Sequence, residues 1–380
     1  MSRAYKVIST DDHLQEGPET WRGRMSKAKW GDKIPHLQRD AKGLDHWFIN
    51  GVPHLMSGVG SVRGIMPPGK PPLVWEDVPK KAWVPADRVA AMDEDGVDVQ
   101  TFFGNIAGVA GNTFSNPDFE EDFRLDCIRA YNDFQIDDWA TPYPGRFITL
   151  AVLPMWDVDK AVAELQRMAK RGAKGISFSF PEQWGYASVA DPYWHPLWAA
   201  AQDANLSINF HVGSGAGMGL KKMPKFAVQG SMVSVAIVST LAISANVEVM
   251  TTLLFSGILN KFPRLKIVSS ESGVGWVPYL LTLADHQWEA QDLKNHGMRE
   301  RPSELFHRQC YVNFWYEEIT PALRDAVGLD NLLWESDFPH GTGTYPKSRQ
   351  YIANSMKDGW TEAQKKQVLV DNAVKLFNLG

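Results

Sequence analysis

The sequence is poor in several features that mark common classes of protein. Its 380 residues include only two cysteines, Cys127 and Cys310, which lie far apart and form no CxxC motif. We therefore expect two reduced thiols in a core, and neither a disulfide framework nor a thiolate metal site. The net charge is only −5, with both signs spread along the chain. This balance argues against nucleic acid or an anionic membrane surface as the main partner.

Signals for export, membrane insertion and dinucleotide binding are also missing. The N-terminus has no apolar stretch behind a basic start, and we predict no spanning run of ~20 apolar residues. No GxGxxG motif follows the first predicted strand, which weakens a dinucleotide-binding interpretation. These absences predict a cytoplasmic protein that has neither nucleic acid nor a membrane as its partner.

Strand-like and helix-like segments alternate along nearly the whole chain. A typical helical pattern covers 158–171 and ends at Gly172. Repeated βα units with short apolar strands indicate a parallel sheet covered by helices. Eight such units without a linker predict one (β/α)8 barrel of the TIM type, an α/β fold that spans 1–380 as a single domain. The eight predicted strands are 5–10, 97–103, 147–154, 176–180, 206–211, 265–269, 309–314 and 332–334.

Residues 14–83 interrupt this alternation with a stretch rich in Gly, Pro and Trp. A non-periodic segment of this length inside a compact fold is usually functional. We predict an insertion after the first strand that forms either a cap over the barrel mouth or an arm between subunits. A homodimer or higher homo-oligomer is the expected assembly. The fifteen tryptophans either line a cavity for a flat or apolar ligand or fill the core.

Four of the predicted strands end in acidic or histidine side chains. The carboxyl ends of barrel strands meet at one mouth, so these side chains are expected to converge there. A buried carboxylate is costly unless it is paired or bound to a cation. The pattern therefore predicts one metal site, built from Asp11 and His13 on the first strand, His211 on a middle strand, Glu271 on a later one and Asp337 on the last.

Three motifs resemble those of the amidohydrolase superfamily. They are Phe262-Pro-Arg-Leu-Lys-Ile-Val, Glu271-x-Gly-x-Gly-Trp-x-Pro-Tyr279 and Glu335-Ser-Asp-Phe-Pro-His340. The chain is most similar to the amidohydrolase-2 group, which includes aminocarboxymuconate-semialdehyde decarboxylase. The resemblance extends from the first strand to the last helix, apart from 14–83.

This resemblance implies specific ligands. The HxH or ExH ligand pair of the family's first strand matches Asp11 and His13, and its fifth-strand and eighth-strand ligands match His211 and Asp337. The sixth-strand histidine of the relatives is replaced here by Glu271. That change removes an imidazole and adds a hard anionic oxygen.

The complete donor set that we predict has six members, with Glu16 included because it lies within sequence reach. Carboxylates and imidazoles together suit Zn, Mn or Fe, and could hold one or two ions per chain. The metal is expected to lower the pKa of a bound water and to polarise a carbonyl group. The predicted ligands are Asp11, His13, Glu16, His211, Glu271 and Asp337.

Catalytic and substrate roles are assigned to residues around these ligands. Asp337 would take the proton from the metal-bound water, with Glu271 as a ligand or a further catalytic group. His340, in the loop after Asp337, would donate a proton to the leaving group or would only orient Asp337. Asn105 and Trp315 follow the second and seventh strands and are predicted to contact the substrate, although Trp315 could equally plug the core.

Three functions fit this site. The first is a metal-dependent hydrolase of an ester, thioester, lactone or amide, which uses a metal-activated water. The second is a metal-dependent, non-oxidative decarboxylase (a lyase) of an aromatic or unsaturated carboxylic acid. The third is an inactive barrel that binds a ligand or partner. The expected substrate is a small, apolar or aromatic molecule.

Overall fold

The computed structural model describes residues 4–54, 61–66, 74–212 and 231–379. Short apolar runs of the sequence form the strands, and those of the main sheet are buried along their whole length, as expected for parallel strands covered on both faces. The strands are β1 (Ile8–Leu14), β2 (His36–Arg39), β3 (Asp45–Ile49), β4 (Val52–Pro53), β5 (Val99–Gly104), β6 (Phe147–Val152), β7 (Gly175–Phe178), β8 (Ser207–His211), β9 (Ile267–Ser270), β10 (Cys310–Phe314) and β11 (Leu332–Trp334).

The helices are α1 (Glu19–Arg22), α2 (Lys27–Trp30), α3 (Pro85–Asp95), α4 (Glu121–Phe134), α5 (Val158–Arg171), α6 (His195–Asp203), α7 (Ser231–Leu241), α8 (Ile243–Phe255), α9 (Ile258–Lys261), α10 (Val277–Ala290), α11 (Pro302–Gln309), α12 (Pro321–Val327), α13 (Ser348–Ser355), α14 (Glu362–Lys366) and α15 (Asn372–Phe377). Helices α1 and α2 belong to the segment between β1 and α3, and the later helices alternate with the strands of the main sheet.

The main sheet is a (β/α)8 barrel, which confirms the predicted fold. Its eight strands are parallel and run in the order β1-β5-β6-β7-β8-β9-β10-β11. Hydrogen bonds between the C-terminal half of β1 and the residues that follow β11 close the barrel. The Asp337 N–H donates to the Asp11 carbonyl at 3.0 Å, and the His13 N–H donates to the Phe338 carbonyl at 2.6 Å. The closing bonds therefore lie at the predicted metal site.

The first strand lies further along the chain than the sequence suggests. Residues 5–10 were predicted, whereas β1 covers Ile8–Leu14 and so contains the Asp-Asp-His run. Its pairing with β5 shifts in register between Ser9 and Asp12. Such an irregularity re-aims side chains near a strand end, and here it falls beside the residues predicted to bind metal.

The segment between β1 and α3 has a small sheet of its own, in which β2, β3 and β4 pair antiparallel. Three of its tryptophans, Trp21, Trp30 and Trp47, are buried, whereas Trp75 and Trp83 are partly buried. Trp21 and Trp47 are fully buried and meet edge to face, with 5.7 Å between ring centroids. Trp21 also packs against Phe114 and Tyr131 of the neighbouring barrel segment. Residues 55–60 and 67–73 of the predicted 14–83 insertion lie outside the described residues.

Two further expectations concern cysteine and membrane insertion. Cys127 and Cys310 are free and buried, as expected. The prediction of no membrane-length apolar run was wrong, because Ala236–Phe255 is a helical stretch of 20 residues that is apolar enough to cross a membrane by length and composition. One such stretch is weak evidence, since core helices can pass the same test.

Candidate metal centre

Five side chains from four strand ends converge at the mouth of the barrel. The two imidazoles lie at its centre, with His13 Nε2 and His211 Nε2 3.1 Å apart. The Glu271 carboxylate lies 2.7 Å from His211 Nε2, and an Asp337 oxygen lies 3.5 Å from His13 Nε2. The Asp11 carboxylate lies 3.6 Å from His13 and 3.7 Å from His211. These ligand atoms face one small volume.

The donor set fits a divalent cation. Asp11 is fully buried, yet neither of its carboxylate oxygens has a hydrogen-bond partner. An unpaired buried carboxylate is too costly to retain without a compensating charge. Potential ligand atoms of Asp11, His13 and His211 lie within 4.8 Å of one another, and so do those of His13, Glu271, Asp337 and His340. Oxygen and imidazole donors of this kind suit Zn, Mn or Fe.

The surroundings of the two central histidines also suit metal binding. Burial, reinforced by the nearby His340, lowers the pKa of His13 well below its usual value, so its imidazole stays neutral. The Nδ1 of His211 lies 2.7 Å from the Val212 carbonyl oxygen. With a cation bound, a proton on Nδ1 would satisfy that carbonyl and leave the Nε2 lone pair for the metal.

The carboxylates of the cluster differ in charge. Burial and the neighbouring Glu335 and Glu271 raise the pKa of Asp11 well above its usual value, and burial with Glu271 raises that of Asp337. Burial acts in the same direction on Glu271, but contacts with His211 and His13 outweigh it and hold the Glu271 pKa well below its usual value. Glu271 is therefore the carboxyl group of the cluster that ionises most readily, whereas burial opposes ionisation of Asp11 and Asp337.

His340 and Thr342 hold Asp337 from the loop that follows it. His340 Nδ1 lies 2.6 Å from one carboxylate oxygen, and the Thr342 hydroxyl donates to the other at 3.1 Å. Burial alone would lower the pKa of His340, but Asp337 outweighs it and raises the value to about 9. The His340 ring also stacks on His13, with centroids 3.9 Å apart. His340 therefore contacts both the Asp337 carboxyl group, with which it shares a proton, and the predicted metal ligand His13.

Glu16, predicted as a metal ligand, is not part of this cluster. Its two carboxylate oxygens accept the backbone N–H groups of Ile106 and Ala107 at 2.8 and 2.9 Å. The side chain thus fastens the loop after β5 to the end of β1. Proximity to His13 in sequence suggested a ligand, but the chain leaves β1 after Leu14 and carries Glu16 towards that loop.

Glu16→Gln should flatten the pH dependence of stability. Burial raises the Glu16 pKa from 4.5 to about 7, although the two N–H donors oppose the shift. The folded state therefore binds this proton more tightly, and the resulting stability is complete below pH 4.5 and lost as the pH rises through about 7. The loss corresponds to about 3 kcal/mol. Denaturant unfolding of parent and variant across this window measures it, and an unchanged slope in the variant would contradict the assignment.

The two predicted substrate residues occupy different settings. The Asn105 amide donates to the Gln15 side chain, at the mouth of the barrel beside the Glu16 loop. Trp315 is 7% exposed and its indole N–H has no hydrogen-bond partner. Its backbone N–H donates to Glu317 at 3.0 Å. A buried indole N–H that lacks an acceptor leaves open both a ligand contact and the alternative of a core plug.

The sequence did not predict a group of buried polar residues that contacts β1 next to the metal cluster. Arg88 is fully buried and donates to the His13 carbonyl at 2.7 Å and to Gln100 at 2.9 Å, and it stacks over the Phe338 ring. Asp12 faces away from Asp11 and accepts from Gln100 at 3.1 Å. The sequence does not reveal that Arg88 holds the His13 carbonyl, because the two residues are 75 positions apart.

Comparison with known proteins identifies the family. A family model described as amidohydrolase matches residues 40–379, most of the chain. The chain belongs to the amidohydrolase family and is an enzyme of that family, which confirms the resemblance in its motifs.

Individual relatives differ considerably from this chain. The gamma-resorcylate decarboxylase of Polaromonas sp. is 26% identical over 297 residues, which cover 73% of this chain and 85% of the relative. An amidohydrolase structure from Mycobacterium avium subsp. paratuberculosis has a TM-score of 0.76 at 23% identity, with full coverage of both chains. A dihydroxybenzoic acid decarboxylase from Polaromonas sp., solved with manganese and 2-nitroresorcinol, has a TM-score of 0.66 at 18% identity, covering 99% of this chain and 98% of that one. These structural likenesses show the fold.

Proposed function

We propose that the protein is a divalent-metal-dependent, non-oxidative decarboxylase of a small aromatic carboxylic acid. The observation that carries the proposal is the pair formed by Asp337, which is fully buried and 3.5 Å from His13, and His340, whose Nδ1 lies 2.6 Å from the Asp337 carboxylate. Replacing a carboxylate on a ring by hydrogen requires an acid beside the ring, and this pair holds a proton at neutral pH, because Asp337 raises the pKa of His340 to about 9. The similarity to gamma-resorcylate decarboxylase supports the substrate class.

The side chains of the cluster would have two roles, metal binding and proton transfer. His13, His211, Asp11 and Glu271 would hold the cation, which when bound fixes a substrate oxygen and withdraws electron density from the ring. Asp337 gives its proton to the ring carbon that bears the carboxylate. The bond from that carbon to the carboxylate breaks, CO2 leaves, and its electron pair restores the aromatic ring. His340, hydrogen-bonded to Asp337, returns a proton from solvent.

Hydrolysis of a neutral acyl substrate is the second candidate, and one observation favours it. The Glu271 carboxyl group lies at the mouth together with those of Asp11 and Asp337, and three such groups disfavour an acidic substrate unless a cation neutralises them. An ester, thioester, lactone or amide avoids that repulsion. In this case Asp337 would act on the attacking water as a base.

The described part of 14–83 supports a cap role. The Gly64 N–H donates to the Pro339 carbonyl at 2.9 Å, and a Cβ atom at Gly64 would overlap the His340 carbonyl oxygen. The segment Ser61–Ile65 therefore lies directly on the loop that carries His340. We expect Gly64→Ala to raise KM or lower kcat with metal content unchanged. Dissociation of an oligomer with intact kinetics would instead identify an arm between subunits.

A direct assay separates the two reactions. Metal-loaded protein is tested for CO2 release from hydroxybenzoic acids and for hydrolysis of a panel of esters, thioesters, lactones and amides. The proposal predicts metal-dependent CO2 release and no acyl turnover. Acyl turnover without CO2 release would establish the hydrolase. Decarboxylation by Glu271→His but not by the parent would show that the parent catalyses something else, and no turnover of either class would favour an inactive barrel.

A further inference from the structure

The residue that fixes Glu271 in place lies two strands away, at the end of β11. Glu335 is fully buried, and its Oε2 accepts the backbone N–H of Glu271 at 3.1 Å. Because β10 lies between β9 and β11 in the sheet, this contact reaches across one strand. The other oxygen of Glu335 has no hydrogen-bond partner. The Asn313 side chain also interacts with this carboxylate, and the backbone group that the carboxylate holds is that of a candidate metal ligand.

The backbone that Glu335 holds has an unusual conformation. Glu271 has φ of +51°, in the left-handed region that residues with a side chain rarely adopt. Such a conformation persists only where the surroundings enforce it. In this conformation the side chain reaches His211 at 2.7 Å and lies 3.7 Å from His13. Release of the Glu271 N–H would let the backbone relax and would move the carboxylate away from the imidazoles.

A second glutamate, Glu317, binds the turn that follows β9 but does not contact Glu271. Glu317 accepts the backbone N–H of Val274 at 3.2 Å and that of Trp315 at 3.0 Å. It also fills the space beside Gly273, where a Cβ atom would lie 2.6 Å from its Oε1. Two glutamates thus fasten consecutive parts of one turn, but only Glu335 holds the residue that points at the cluster. Glu317 is a matched control.

We propose that Glu335 is a positioning residue, which fixes the Glu271 carboxylate in the metal centre through the Glu271 backbone N–H. This inference rests on the metal centre of the proposed function and not on the identity of the substrate. The ligand atoms that lie within 4.8 Å of one another do not include those of Glu335, which separates its role from direct coordination. Groups that orient metal ligands typically contribute 10–100-fold to metal affinity.

Metal affinity and the cobalt spectrum test the proposal without any substrate. Glu335→Ala should weaken Mn²⁺ binding by about 10–100-fold, measured by calorimetric titration. The visible spectrum of the Co²⁺-loaded variant should shift towards that of Co²⁺-loaded Glu271→Ala. Glu335→Gln keeps an oxygen that can accept the N–H, so it should restore affinity and spectrum to near the parent. Glu317→Ala should lower the unfolding temperature but leave both metal readouts unchanged.

A double-mutant cycle shows whether Glu335 acts through Glu271. If it does, Glu335→Ala should have little further effect on Mn²⁺ affinity in a Glu271→Ala background. An equal loss in both backgrounds would overturn the proposal, as would a Glu335→Gln variant that binds metal as poorly as Glu335→Ala. If Glu335→Ala does not fold, Glu335→Gln and Glu335→Asp are compared instead. Asp is too short to reach the Glu271 N–H, so Glu335→Asp is expected to weaken Mn²⁺ binding, whereas Glu335→Gln is not. Because these measurements need no substrate, they test the role of Glu335 even if the protein does not release CO2.

Discussion

Asp337→Asn should reduce kcat by roughly 10²–10⁴-fold, the range expected when a group that transfers the proton is removed. Asn has the shape of Asp but cannot supply the proton. Asp337 has φ of +53°, and Asn tolerates the left-handed region better than most residues, so the backbone should keep its conformation. The amide oxygen can still meet His340, which lies 2.6 Å from the carboxylate in the parent.

The measurement is kcat at a metal content equal to that of the parent. Thr342→Val is the matched control, because it removes only the 3.1 Å hydrogen bond to the other Asp337 oxygen. We expect the control to lose less than about tenfold, the scale of a single neutral hydrogen bond. An Asp337→Asn variant that keeps its metal and retains more than a tenth of the parent kcat would remove Asp337 from the chemistry.

Removal of the metal should abolish turnover and destabilise the fold, more strongly at high pH. Burial raises the pKa values of Asp11 and Asp337, so without a cation their ionised forms are costly. Stability from such raised groups is complete at low pH and is lost as the pH rises. A cation bound at 100 to 1,000 times its Kd adds about 3–4 kcal/mol, or roughly 4–5 °C in unfolding temperature for a chain of this length.

Chelator-treated and Mn²⁺-reloaded protein are compared by thermal unfolding at about pH 6 and about pH 8. The difference in unfolding temperature should widen at the higher pH, because ionised carboxylates bind the cation and repel one another without it. Recovery of both turnover and unfolding temperature on reloading is the control for irreversible damage. A metal-free protein as stable as the reloaded one at both pH values would contradict the account.

Much of the fold follows from local pattern. The segment 158–171 was predicted as a helix from its spacing, and α5 covers those residues, with Asp157 capping the first turn and Gly172 in the left-handed conformation at its end. The eight barrel strands were found because each is a short apolar run that is buried on both faces. The first strand was displaced because apolar content alone does not reveal that Asp11 and His13 lie inside the ladder with β5.

The candidate site was predictable to the extent that it depends on strand ends. Parallel strands bring their carboxyl ends together, so His211, Glu271 and Asp337 could be grouped without knowing any distance. Glu16 was misplaced because sequence proximity does not reveal where the chain turns after a strand. The contacts of Glu335 and Arg88 could not be predicted, since each side chain binds the backbone of a residue distant in sequence.

The metal centre itself is tested most directly by elemental analysis of the purified protein and of Glu271→Ala. The account predicts one or two equivalents of a divalent metal per chain in the parent and a lower content in the variant, because the Glu271 carboxylate lies among the ligand atoms. Glu16→Gln should keep the metal content of the parent, because both Glu16 oxygens are bonded to backbone N–H groups. No metal in the parent, after growth in metal-replete medium, would contradict the account.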